Sequence, residues 1–446
     1  MNNTAINRQR LYLIGNLSIF MIGLGFAVRA NIAPDLQANI YDQIDLATSA
    51  TRVGEALGAT FTGFALTLLF GSALVDLIGM KRMLLLSALG YVLGSVGLVV
   101  ASLLPADQLA ESLVLGSLLL TGLGWGAVEA ASNPMVAALY PEEKTHRLNI
   151  LHAWWPAGIV VGGLLGVTIS SVGLPWQLNL LILMLPSVVM AWLVVRAQFP
   201  VTERVAAGVS YQGMLAELIR RPLFWVFWVC MWLTAATELA PGQWVNMALS
   251  NIVGMQGILL LVYVSALMFV MRHFAGAIVE RISSVGLMFV SCIAATVGLY
   301  ALSKASSPLL AFGAATIWGI GVCYMWPTML AITAERFTRG GALAMGLMGF
   351  AGGMSIQFVL PQMGAVFDSA KAEAAGGAAA LATLSPEAMS EAVRYASVQS
   401  FQAVAFVPLL LLPVFSVIWM LDRKRRGQQP AVIGEPGTPL TVNGKK

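Results

Sequence analysis

The sequence predicts an all-α integral membrane protein: twelve transmembrane helices in two pseudo-symmetric six-helix bundles. Three observations carry that expectation. The first is composition: of 446 residues, 58% are hydrophobic and 10% charged, against roughly 25% charged in soluble domains. The second is spacing. A helix needs ~20 apolar residues to cross a ~30 Å hydrocarbon core, and twelve such stretches occur, at about 11–33, 54–76, 83–104, 112–140, 148–173, 175–196, 222–249, 257–282, 285–305, 309–335, 342–368 and 396–421. The third is charge placement. Of 25 Lys and Arg, nineteen fall on the side of both termini, four on the other, and Arg29 and Arg272 lie within spans. Cation-rich loops face the cytoplasm, so both termini are expected there, in a bacterial inner membrane.

Taken in order, residues 1–10 are short, polar and basic and run directly into apolar chain. No small-residue cleavage site follows, so they read as the lead-in to a retained first span. Spans one to six make a first unit, 1–196. The charged segment 197–221 reads as a cytoplasmic linker with a short surface helix at 211–219, and spans seven to twelve make a second unit, 222–421. The Ala/Gly-rich stretch 370–392 reads as an external loop, part helical, of the kind that tolerates insertion. The polar tail 422–446 reads as disordered beyond Arg426. Cys230, Cys292 and Cys323 lie in apolar runs without metal-ligand spacing, so they read as buried inert thiols, and no metal or cofactor is expected. The net charge of +4 is weak evidence for a nucleic-acid partner, and the placement of the charges argues against one. The expected partners are a small solute, protons and the lipid bilayer, for a protein acting as a monomer.

The halves resemble each other. Asn133-Pro134 in span 4 is followed by Glu142, eight residues past the proline, and Trp326-Pro327 in span 10 by Glu335 at the same distance. Span 2 ends at Asp76 and span 8 at Glu280; Pro34 of span 1 answers to Pro241 of span 7. The offsets are 193, 204 and 207 residues, a repeat of about half the chain, as a carrier built from two bundles requires.

Between spans 2 and 3 stands Gly71-Ser-Ala-Leu-Val-Asp76-Leu-Ile-Gly79-Met-Lys81-Arg82. It resembles the G-x-L-x-D-x-x-G-x-(R/K)-(R/K) signature of the major facilitator superfamily. With Glu280 and Arg281 in the second half, it reads as a cytoplasmic gate whose carboxylates and cations pair with the neighbouring bundle and part on rocking. Within that superfamily, Gly122-Leu-Gly-Trp-Gly-Ala-Val-Glu129-Ala-Ala-Ser-Asn133-Pro134 looks like span 4 of the fucose/glucose/galactose:proton symporters. Spans 5, 7 and 10 carry further short matches. The resemblance implies a central cavity lined by spans 1, 4, 7 and 10, with a span-4 glutamate that takes part in proton coupling. The chain departs from that pattern in span 1, where Val28-Arg29-Ala30-Asn31 carries an arginine in place of an acid. A two-carboxylate relay is therefore not carried over.

An ionisable side chain inside a span is costly and marks a functional site. At 1.5 Å per residue, Glu129 falls near the midplane and Arg29 and Glu238 in the outer half. The expectation is a charge triad: Arg29 pairs with Glu129 or Glu238, both are candidates for proton coupling, and solute or proton exchanges partners. A static pair that only neutralises buried charge is the plainer alternative. Arg272 reads as bracing the gate, and His152 as a packed histidine that titrates near neutrality. Asn31, Asn133, Gln243, Asn246, Tyr324, Trp326 and Gln357 offer amides and flat rings suited to a polyhydroxylated solute. Trp154 and Trp155 read as interface anchors.

These readings favour proton-coupled movement of a sugar-like solute by alternating access. An organic-anion carrier using Arg29 and an efflux antiporter of the same fold are the alternatives. No HExxH, GxSxG or GxxxxGK[ST] pattern occurs, so neither an intramembrane enzyme nor a nucleotide-driven pump is expected.

Overall fold

The computed structural model describes residues 6–140, 144–201, 210, 212, 218–253, 255–337 and 341–428. Every regular element among them is helical. By length and composition, 11 helices could cross a membrane, and a shorter apolar helix, Ile258–Arg272, occupies the eighth position. Numbered by span, the helices of the first half are α1 (Arg8–Leu36), α2 (Ser49–Leu66, continued by Thr67–Gly71 and Ser72–Ile78), α3 (Met80–Leu103), α4 (Gln108–Leu139), α5 (Lys144–Ser171) and α6 (Leu178–Val195). Those of the second are α7 (Pro222–Val253), α8 (Ile258–Arg272, then Ala275–Ile282), α9 (Ser284–Ser303), α10 (Pro308–Val322, then Met325–Arg336), α11 (Gly341–Ala375) and α12 (Pro386–Ala405, Val407–Leu411, Leu412–Gln428).

Three helices outrun expectation. The first continues past Pro34 through a π turn at Gln37–Tyr41 to Ile44, because neighbouring helices re-satisfy the backbone that a proline frees. The predicted loop 370–392 is instead mostly helical. Its alanines extend α11 to Ala375, where Gly376 and Gly377, at φ +79° and +131°, end the helix. After a 3-10 turn at Ala378–Thr383, Ser385 caps α12 by accepting from the Ala388 N–H, with Pro386 in the first turn. The surface helix expected at 211–219 falls largely outside the described residues, as does the tail after Gln428.

Helix contact is close where glycines face each other. A Cβ on Gly23 would strike the Trp155 carbonyl, and one on Gly158 the Phe20 carbonyl, so α1 and α5 touch backbone to backbone. The repeat also appears in the backbone. Gly79 ends α2 at φ +87°, and Ser283, at φ +69°, ends α8 204 residues later, the same offset as Asp76 to Glu280. Ser283 is the one non-glycine at positive φ among the described residues, and its hydroxyl accepts from the Gly286 N–H.

Among the described residues, the halves are bonded to each other at the distal end of their seam, away from the termini. There the Asp368 carboxylate of α11 accepts from the Thr51 N–H (2.8 Å) and hydroxyl (2.7 Å) of α2. Lys371, expected on an external loop, is 2% exposed inside α11. Its ammonium lies 3.4 Å from Asp368 and donates to the Leu46 carbonyl of the first half. Farther along, Gly353 of α11 packs against Phe64 and Ala65, and Gly163 of α5 against Val262 of α8.

Candidate functional site

The site begins with a break. Pro327 has no N–H to offer the carbonyl four residues back, so α10 stops at Val322 and restarts at Met325. The freed Cys323 carbonyl accepts instead from Arg272 Nε of α8, at 3.1 Å. The restart leaves first-turn N–H groups without intrahelical partners, and that of Trp326 donates to Glu238 Oε2 of α7 at 3.0 Å. Glu238 Oε1 and Arg272 Nη2 then meet at 3.4 Å, and the guanidinium lies 5.8 Å from the centre of the Trp155 ring. One proline thus opens both an acceptor for the cation and a donor for the acid. Pro241 acts similarly on α7: the Thr237 carbonyl it frees accepts from Trp318 Nε1.

The acid of α4 lives differently. Glu129 Oε2 accepts from Asn133 Nδ2 at 2.9 Å, one helical turn on, and Asn133 Oδ1 meets His152 Nε2 of α5 at 3.0 Å. Among the described residues no cation lies within ion-pair distance of Glu129. Asn133 thus links the α4 acid to His152 of α5.

Between these groups lies an aromatic layer. Phe64 is 4.5 Å from Trp125 and 6.3 Å from Trp326 of the other half, and Phe26 is 5.3 Å from Trp155. Trp125 and Glu129 are four residues apart, hence on one face of α4. Beside the layer lies Arg29, 2% exposed. Its Nε reaches Gln243 Oε1 of α7 at 3.3 Å, its guanidinium carbon is 5.3 Å from the Trp125 ring centre, and Gln243 Nε2 donates back to the Phe26 carbonyl. These are bonds across the seam.

The expected triad is therefore redrawn. Arg29 pairs with neither Glu129 nor Glu238. It meets a neutral amide, because Glu238 is drawn to Arg272 on the adjacent helix of its own half. Arg272, read as bracing, is the ion-pair partner. Asn133, Gln243 and Trp326 gather at the centre. Tyr324 is close by, but its hydroxyl is bound to the Met271 carbonyl. Asn31 donates to Asn179 of α6 and packs against Gly166. Gln357 also lies apart, against Gly58 in a groove of about 510 Å³ lined by α2, α4 and α11 that carries the exposed Phe358. The Asn246 side chain lies outside the described residues.

Of the residues expected at a gate, Gly71 lies inside α2 at the end of its π stretch, and Gly79 ends that helix at a positive φ. Lys81 does not reach the other half: it donates to the Val195 and Ala197 carbonyls at the end of α6. Arg82 and Arg281 are exposed, and the side chains of Asp76 and Glu280 lie outside the described residues. Trp125 and Trp155 were missed as central groups. Trp154 is 42% exposed, as an anchor should be, whereas its neighbour Trp155 points inward. Two adjacent Trp residues on one helix must point about 100° apart, and that was the available signal.

A search of curated proteins by sequence gives no match. Solved structures resemble the fold at low identity. A partially occluded, inward-open xylose transporter XylE from E. coli matches with TM-score 0.72 at 12% identity, over 92% of this chain and 97% of that one. A D-xylose-proton symporter gives 0.69 at 14%, over 89% and 96%, and the nucleoside transporter NupG 0.64 at 12%, over 94% and 99%. The sequence model of the Major Facilitator Superfamily matches residues 15–361. With its twelve helical positions and most of its length matched, the chain belongs to that superfamily of membrane transporters.

Proposed function

We propose that the protein moves a small hydroxylated solute, sugar-like in character, across a bacterial inner membrane by proton-coupled alternating access, with Glu129 as the proton carrier. In this reading it acts as a monomer with both termini cytoplasmic. The moving bodies are residues 1–196 and 222–421, joined by the linker 197–221. The distal seam held by Thr51, Asp368 and Lys371 faces the outside.

The observation that carries the reading is the contrast between the two central acids. Glu238 is tied to Arg272, so losing its charge breaks an ion pair. Among the described residues Glu129 is held by the Asn133 amide and by no cation, so it can take up or release a proton without stranding a buried cation. The aromatic layer beside it suits the apolar face of a sugar ring, and Asn133 and His152 offer directional partners to hydroxyls. Glu238 has the lesser part, setting the resting charge of the site.

The test is uptake by purified protein in proteoliposomes with an inward proton gradient, across neutral sugars, polyols, sugar acids and hydrophobic cations. Hydroxylated solutes should accumulate. Glu129→Gln should equilibrate solute and retain counterflow, yet no longer concentrate it. Undiminished accumulation by that variant removes Glu129 from coupling, and gradient-driven expulsion of hydrophobic cations replaces uptake with efflux.

A further inference from the structure

Around Arg29 the buried polar groups that lack a partner can all donate. Its Nη1 and Nη2, the Tyr91 hydroxyl of α3 and the Trp125 indole N–H of α4 are each buried without a hydrogen-bond partner. All four can donate, and the guanidinium and indole can do nothing else. Tyr91 and Arg29 flank Gly25 of α1, where a Cβ would stand 3.1 Å from Tyr91 Cε1 and 3.4 Å from Arg29 Nη1. A side chain there would crowd both groups. The hydroxyl lies against the guanidinium, close enough for its oxygen to accept weakly from it but short of good hydrogen-bond geometry, so its own proton is left to donate elsewhere. Trp125 presents its ring to the same cation.

Unsatisfied buried donors cost more than the bonds they would make are worth, and an unpaired buried charge costs more still. A cluster of donors on three helices, lacking only an acceptor, is configured for an anion. The acceptor now present is Gln243 Oε1, a neutral oxygen at 3.3 Å on Nε, which leaves the two Nη atoms of the guanidinium fork buried and without a bond. A carboxylate matches that fork with two parallel bonds.

We propose that Arg29, Tyr91 and Trp125 form a subsite for the carboxylate of the transported solute, so that the substrate is a hydroxylated carboxylic acid and not a neutral sugar. The inference rests on the transport reading above and narrows it. A monocarboxylate is favoured over a phosphate ester because the cluster offers one cation: Arg272, the other central arginine, is already paired with Glu238. The subsite also explains how binding would reach the seam. Gln243 is held to the first half by Arg29 and by the Phe26 carbonyl, and a carboxylate that takes Arg29 removes one of those two bonds. Solute binding thus loosens the α1–α7 contact and favours opening between the halves.

The experiment compares matched probes, gluconate against sorbitol and glucuronate against glucose, with a hexose phosphate as the dianionic control. Competition for uptake and thermal stabilisation of the detergent-purified protein are both read. Each carboxylate should outcompete its neutral partner by ~10–100-fold, the range expected for charge-assisted bonds, and the hexose phosphate should compete less than either acid. Arg29→Gln should abolish that preference while Arg29→Lys restores part of it. Gln243→Glu supplies the missing acceptor internally: it should raise the melting temperature and cancel stabilisation by gluconate. Because that arm gains stability, it remains informative even where an Arg29 variant folds poorly. Uptake of sorbitol or glucose without competition from the acids overturns the subsite and leaves the sugar-transport reading standing. A hexose phosphate that outcompetes both acids overturns the monocarboxylate. Failure of every hydroxylated probe to move or stabilise the wild-type protein overturns the transport reading itself, and the subsite with it.

Discussion

Two arginines lie near the centre of this molecule, one in each half, Arg29 buried and Arg272 partly so, and they are treated in opposite ways. Arg272 has a carboxylate, a main-chain carbonyl and an indole face, all supplied by helices around the α10 break. Arg29 has one amide oxygen and an indole, and its terminal nitrogens have no partner. The same residue type is therefore neutralised on one side and left seeking an acceptor on the other. A permanently paired charge is part of the scaffold, whereas an unpaired one is a binding group waiting for its ligand. The asymmetry is what a carrier requires: one fixed pair to keep the interior near neutral and one cation free to recognise.

The comparison is most strongly tested by removing each arginine in turn. Arg272→Met strands the Glu238 carboxylate, and breaking a buried pair from one side costs ~3–5 kcal/mol. The melting temperature in detergent should fall steeply, and much of the loss should return in the Glu238→Gln/Arg272→Met double variant. Arg29→Met should do the reverse. Replacing an unsatisfied buried cation by an apolar chain relieves its desolvation, for a gain of about 1–3 kcal/mol, read as a higher melting temperature accompanied by loss of transport. A fall as large as that of Arg272→Met would mean that Arg29 is a structural ion after all. The smallest effect belongs to the distal seam. Thr51→Val deletes one of two donors to Asp368 and should cost about 0.5–1.5 kcal/mol. It shifts the population toward the distally open form, read as faster labelling of a cysteine placed at the seam and little change in folding.

The coarse design was legible because it rests on one-dimensional signals. Apolar length gave twelve positions, and the paired offsets gave the two halves. The carboxylate beside Asn133-Pro134 could be picked out because charge within a span is rare. What the linear sequence withheld was rotation about each helix axis. Asn31 and Arg29 are two residues apart, yet one turns toward Asn179 and the other toward Gln243. Arg272 and Glu238 are 34 residues apart on successive helices, and nothing in their spacing says that they face each other. The Pro327 break was readable, but not which side chains would use the backbone it freed. The length of α11 was underestimated because the alanines of 370–375 continue a helix that the apolar-length rule had already ended.

The break in α10 has an implication for how such a carrier can change. Main-chain atoms of residues 323 and 326, not their side chains, hold the guanidinium and the acid. Trp326, only partly buried, can therefore exchange its side chain while the charges stay where they are, provided the proline remains. A library randomised at Trp326 with Pro327 and the buried Cys323 fixed should yield folded proteins of altered selectivity, making this short bend the natural place to retune what the protein carries.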